Sequence, residues 1–130
     1  MSEHIFKRKL YQRMLDWKQE SLGHTALLIE GARRVGKSTL VQQFAKQEYK
    51  SCILIDFNRV SDEVRGLFNN LMDMDFLFFQ LQRIFNVQLI ERQSVIIFDE
   101  VQRCPMARQA IKYLVADGRY DYIETGSLAS

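Results

Sequence analysis

The segment Gly31-Ala32-Arg33-Arg34-Val35-Gly36-Lys37-Ser38 fits the pattern G-x-x-x-x-G-K-[ST], and it constrains this chain more than any other feature does. It follows an apolar run, Ala26-Leu27-Leu28-Ile29, and leads into a helical pattern, Thr39-Leu40-Val41-Gln42-Gln43-Phe44-Ala45. Such a stretch needs a strand before it, a tight loop, and a helix after it. The glycines let the backbone curl until several N–H groups face one point. The helix N-terminus adds partial positive charge there. A polyphosphate is the natural occupant.

A second run, Ser94-Val95-Ile96-Ile97-Phe98-Asp99-Glu100, reads as a buried strand ending in two carboxylates, in the manner of a Walker B segment. The remaining pattern alternates strands with helices. A first helix is expected over Ile5 to Glu20, with Phe6, Leu10, Met14 and Trp17 as its apolar stripe. Strand one is expected at Thr25 to Glu30, the loop helix from Ser38 to Gln47, and strand two at Cys52 to Asp56. A short helix over Asp62 to Phe68 and a strongly apolar one over Asp75 to Phe85 follow. The breadth of that second apolar surface, with Phe76, Phe78 and Phe79 beside Leu77 and Leu81, favours deep burial over a partner surface. A helix over Met106 to Ala116 stops at Asp117-Gly118, and strand four is Tyr120 to Thr125. Alternation of this kind implies an α/β fold with a parallel sheet, right-handed crossovers and ligands bound beyond the carboxyl ends of the strands. Gly31 to Ser38, Asp56, Asp99-Glu100 and Gly126-Ser127 all fall at such ends.

At 130 residues the chain is expected to be one domain, residues 1–130. A net charge of +2 supplies no large basic footprint, so nucleic acid is not indicated as a partner. Lys7-Arg8-Lys9 reads as a solvated helix face. The two cysteines, Cys52 and Cys104, lack C-x-x-C spacing, which gives neither a metal nor a redox motif and suits a reducing compartment. His4 and His24 stand apart and read as surface or loop residues. No apolar run approaches about 18 residues, and the N-terminus has no apolar leader. A cytoplasmic location without membrane partner is the expectation.

With these motifs in order, the chain resembles P-loop ATPases of the additional-strand, catalytic-glutamate class within the AAA superfamily. More narrowly, it is similar to prokaryotic ATPases that pair an N-terminal AAA-type domain with a C-terminal domain of poorly defined role. The loop with paired arginines, Gly31 to Ser38, carries the resemblance, together with Phe98-Asp99-Glu100-Val101-Gln102 and Thr125-Gly126-Ser127. It implies a parallel P-loop core with helices on both faces and sheet order 5-1-4-3-2, of whose usual five strands four are present. Because the sequence stops at Ser130, the resemblance suggests a truncated form of a longer protein, or a short relative whose open edge a partner covers.

ATP and Mg2+ are the implied cofactors. Lys37 would reach the β- and γ-phosphates, and the N–H groups around Val35, Gly36 and Lys37 would cradle them, within a loop comprising Gly31, Ala32, Arg33, Arg34, Val35, Gly36, Lys37, Ser38 and Thr39. Ser38 would hold the metal through its hydroxyl, or serve as a helix N-cap. Thr39 either touches the α-phosphate or is an ordinary helical residue. Asp99 would bind Mg2+, directly or through water. Glu100 would accept a proton from the attacking water or orient it. Ser127 resembles the sensor position that feels the γ-phosphate, with a plain turn residue as the alternative. Arg33 and Arg34 add charge to the phosphates, contact a neighbouring subunit, or face solvent. Gln102 and Arg103 are candidates for reporting nucleotide state, and Asp56 for a supporting carboxylate.

No arginine finger can be assigned, and in this superfamily one often comes across a subunit interface from the region after strand four. Slow or absent turnover by this chain alone is therefore the expectation. Three readings stay open: an ATP hydrolase driving a conformational change in a C-terminal domain or homo-oligomer, a nucleotide-dependent switch with little hydrolysis, and an inactive folded fragment. ATP over GTP rests on the resemblance and on the lack of an [NT]-K-x-D guanine motif.

Overall fold

An apolar strand without polar alternation has to be covered on both faces, and the run Ser94–Asp99 is buried at every position. In the computed structural model, which describes residues 2–31 and 36–127, this strand is β3, and helices lie on both sides of it. The elements run α1 (Glu3–Ser21), β1 (Leu27–Gly31), α2 (Lys37–Glu48), β2 (Ser51–Asp56), α3 (Asp62–Leu67), α4 (Met74–Phe85), β3 (Ser94–Asp99), α5 (Pro105–Asp117) and β4 (Asp121–Ser127), with a 3-10 turn at Val101–Arg103. All strand pairs are parallel, in the order β1-β4-β3-β2. That is the order which the resemblance implied for these four strands.

Side chains alternate across a strand, so each strand feeds two cores. Val95 and Ile97 of β3 and Ile123 of β4 join Leu10 and Met14 of α1 and Leu40, Val41, Phe44 and Ala45 of α2 on one face. Ile96 and Phe98 of β3 and Tyr122 of β4 join α3, α4 and α5 on the other, around Val64, Leu77, Phe78, Leu81 and Ile111. Helix ends carry their own signals. Ser2, Ser61 and Asp73 accept from the N–H groups of Ile5, Val64 and Phe76. Pro105 opens α5, and Gly118, at φ 84°, closes it as Asp117-Gly118 predicted.

Three local expectations need correction. β4 extends to Ser127, because Gly126 and Ser127 pair with Glu30 and Gly31 of β1; Ser127 is a strand residue, not a turn residue. Gly36, not Ser38, caps α2. On α4, Leu77 and Phe78 are buried but Phe76 and Phe79 are 52% and 62% exposed. One helical face meets the sheet, and the other is left outside it. Phe6 at the start of α1 is exposed for the same reason.

β1 lies at the end of the strand order. Beside it a groove of about 590 Å³ is lined by Leu28, Arg108, Ile111, Lys112 and Glu124 among others. Half-burial pushes the Glu124 carboxyl above its ordinary value; Arg108 opposes that rise and Glu30 adds to it. A raised carboxyl pKa means that the folded state holds the proton better, so stability falls as pH rises through the window above 4.5. Glu124→Gln, which has no proton to lose, should therefore melt higher than wild type at pH 7, with the difference closing below pH 4.5. Melting temperatures that run parallel across this range would contradict it.

Candidate functional site

The carboxyl ends of the strands carry the polar residues. A cavity of about 210 Å³ is lined by Lys37 and Ser38 from α2, Asp56 and Asn58 from the end of β2, Asp99 and Glu100 from the end of β3, and Ser127 from β4. The topology brings these together because a parallel sheet points all its strand ends one way. Asp56 stands in register with Asp99, and Ser127 with Gly31.

Helix α2 starts at Lys37 behind Gly36, whose φ of 101° is one that L side chains rarely adopt. The first turn of α1 closes on this glycine: a Cβ there would stand 3.0 Å from Lys7 Cε and 3.7 Å from Glu3 Oε1. Lys37 Nζ donates to the Gly126 carbonyl at 2.8 Å. Its ammonium thus spans from α2 to the end of β4. Ser38 Oγ donates to Asp99 Oδ1 at 3.0 Å.

The two acids are nearly inaccessible, with Asp99 8% and Glu100 6% exposed. Buried carboxylates need donors. Asp99 Oδ1 accepts from Ser38 Oγ and also from Thr125 Oγ1, the latter at 2.6 Å. Ser127 Oγ lies 2.5 Å and 2.8 Å from the two oxygens of Glu100, so its one proton is shared between them. Glu100 itself adopts φ 55°, ψ 50°, a left-handed conformation that costs a non-glycine residue on the order of 1–2 kcal/mol.

A model of the AAA domain family matches residues 23–130. The chain belongs to this family. No curated protein sequence matches it at a significant level. Among solved structures it is similar to PCH-2 of C. elegans, with a TM-score of 0.55 and 15% identity over 96% of this chain. It spans 38% of that protein's length, and at such identity the likeness speaks for the fold alone. Family membership makes this a domain of nucleotide-binding ATPases with a P-loop core.

For an AAA domain the donor set has a clear chemical bias. Ser38 gives its proton to Asp99, which leaves the lone pairs of its hydroxyl for a hard cation. Asp99 adds a carboxylate oxygen, a ligand type that Mg2+ prefers. Among the described residues no three His, Cys, Asp or Glu side chains form a metal cage.

Of the residues singled out in the sequence, Lys37, Ser38, Asp56, Asp99, Glu100 and Ser127 share the cavity. Gly31 ends β1. Ala32, Arg33, Arg34 and Val35 lie outside the described residues. Thr39 is exposed and lines a separate surface depression with Gln42, Gln43 and Lys46. Gln102 lies against Gly126, its amide oxygen 3.1 Å from where a Cβ would stand there. The Arg103 carbonyl accepts from Arg65 at 2.9 Å. Asn58 and Thr125 were not singled out as site residues. A signal for Thr125 was present, since it stands two positions from Ser127 on one strand and therefore on the same face.

Because Gly36 is held at positive φ, Gly36→Ala should destabilise the ligand-free protein by roughly 1–2 kcal/mol, a loss of several degrees in melting temperature. Adding Lys7→Ala, which clears the nearest side chain, should leave most of that loss. Unchanged melting in Gly36→Ala, or full recovery in the double variant, would show that the backbone conformation is not the cause.

Proposed function

We propose that residues 1–130 act as an ATPase domain that binds Mg-ATP at the strand ends and hydrolyses it, driving a conformational change in a further domain or in a second copy of itself. The observation that carries this reading is the meeting of Lys37 and Ser38, from the start of α2, with Asp99, Glu100 and Ser127 in one cavity. An anion-attracting helix start and a pair of buried acids stand face to face.

In this reading the glycine loop and Lys37 take the phosphates. Ser38 and Asp99 would hold Mg2+, Asp99 with the oxygen left over by the two hydroxyl donors to Oδ1. The ion would supply charge neutralisation for the phosphates. Glu100 orients the attacking water and takes its proton. The Ser127 hydroxyl passes from the Glu100 carboxylate to a γ-phosphate oxygen, so it senses whether that phosphate is present. Family membership supports ATP over GTP.

One observation favours a second reading, a switch that binds nucleotide with little turnover. Both oxygens of Glu100 share the Ser127 proton, and a carboxylate so engaged is a poor base until released.

Thermal unfolding with and without Mg-ATP tests the site. At 100 times Kd the ligand should add about 2.7 kcal/mol, a shift of several degrees, and Lys37→Ala should abolish it. An equal shift in Lys37→Ala would remove the basis for placing nucleotide here. Glu100→Gln separates the two readings: a hydrolase should lose roughly 100-fold or more of its turnover while keeping the Mg-ATP shift. If turnover in Glu100→Gln matches wild type, Glu100 is not the base and the switch reading stands.

A further inference from the structure

Successive residues of a strand point to opposite faces. Asp99 ends β3, so in extended chain Glu100 would turn away from it, toward the core formed by α3, α4 and α5. It does not: both carboxylates are held by hydroxyls on one face of β4. Thr125 takes Asp99 and Ser127 takes Glu100. The left-handed turn at Glu100, φ 55°, is what brings the second acid back to the side of the first.

Thr125 is fully buried, with 0% exposure, and its hydroxyl is used in both directions. Its proton goes to Asp99 Oδ1 at 2.6 Å. Its oxygen accepts the backbone N–H of Glu100 at 3.1 Å. One atom therefore fixes both the rotation of the first carboxylate and the backbone turn that aims the second. Asp99 Oδ1 also receives Ser38 Oγ at 3.0 Å, so the orientation that Thr125 imposes is felt at the first turn of α2.

We propose that Thr125 is a positioning residue, which sets Asp99 and Glu100 in register with each other and so fixes the cation side of the site. The proposal rests on the reading of these two acids as the Mg2+ and water partners of bound ATP. Thr125 touches neither nucleotide nor ion in this account; it acts through the acids. A valine keeps its shape but can neither donate nor accept. A serine keeps both hydrogen bonds.

The test uses the 130-residue chain as wild type, Thr125→Val and Thr125→Ser. The readouts are the Mg2+ concentration that gives half of the ATP-dependent thermal shift and the hydrogen-exchange rate of the Glu100 amide without nucleotide. Loss of a residue that orients a metal ligand typically weakens the ion by about 10- to 100-fold. Thr125→Val should thus need about tenfold more Mg2+ or beyond, and its Glu100 amide should exchange faster, while the shift with ATP in chelator stays as in wild type. Thr125→Ser should return both readouts close to wild type, which a purely steric role would not predict. A wild-type Mg2+ requirement in Thr125→Val, or a serine variant as impaired as the valine one, overturns the proposal. If Thr125→Val does not fold, the wild-type amide decides: exchange at Glu100 as fast as in an unstructured peptide also overturns it. No Mg-ATP shift in wild type sinks the ATP reading and this proposal with it. A wild-type shift that Thr125→Val reproduces at the same Mg2+ sinks this proposal alone.

Discussion

A single buried oxygen, Oδ1 of Asp99, accepts one hydroxyl from α2 and another from β4. Three elements distant in sequence meet on it. The body of α2 is held by apolar burial of Leu40, Val41, Phe44 and Ala45, an attraction that is strong but non-directional. Burial alone would tolerate a small slide or rotation of the helix. The hydrogen bond from Ser38 does not, because its strength depends on distance and angle. Packing thus decides that α2 lies on this face of the sheet, and Asp99 decides where its first turn stops.

The opposite face supports the same strand end by other means. Phe98, the last apolar residue of β3, meets Phe57 and Phe68 with ring centroids 5.6 Å and 5.3 Å away. Val101, which opens the 3-10 turn, and Cys104, which follows it, are buried in the same core. Arg65 of α3 donates to the carbonyls of Phe57 and Arg103, which ties the end of β2 and the turn after the acids to one helix. The turn at Glu100 is therefore gripped from below by aromatic packing and from above by Thr125. A left-handed non-glycine residue persists only where its surroundings over-determine it, and these surroundings do.

Much of this was legible in the residues. Strands could be read from Val95-Ile96-Ile97-Phe98 and Ile53-Leu54-Ile55, and the end of α5 from Asp117-Gly118, because each signal is local. Sheet order came from the resemblance. What escaped was set by contacts between distant segments. β4 gains its last two residues only through pairing with β1, which no pattern within β4 announces. Ser38 looks like a helix cap in sequence, yet Gly36 takes that place and frees the serine hydroxyl for Asp99. The apolar width of α4 suggested burial all round, but the sheet accommodates one face and leaves Phe76, Phe79 and the 94% exposed Met72 outside. The left-handed turn at Glu100 is invisible in an Asp-Glu pair, since any extended reading sends the two side chains apart.

The charge layout explains why nucleotide and metal should arrive together in the proposed function. Asp56, Asp99 and Glu100 line a cavity to which, among the described residues, Lys37 brings the ammonium. ATP without a cation would push phosphates toward three carboxylates, and like charges in a poorly solvated site repel strongly. In the proposed function a cation would have Ser38 and Asp99 as its protein ligands and would take the rest from phosphate and water. Each ligand supplies what the other lacks. The site is accordingly divided: the start of α2 and Lys37 favour the anion, and the end of β3 favours the cation. Ser38, whose proton is committed to Asp99, borders both sides in this reading. In the proposed function a change in this one hydrogen bond would be felt on both sides.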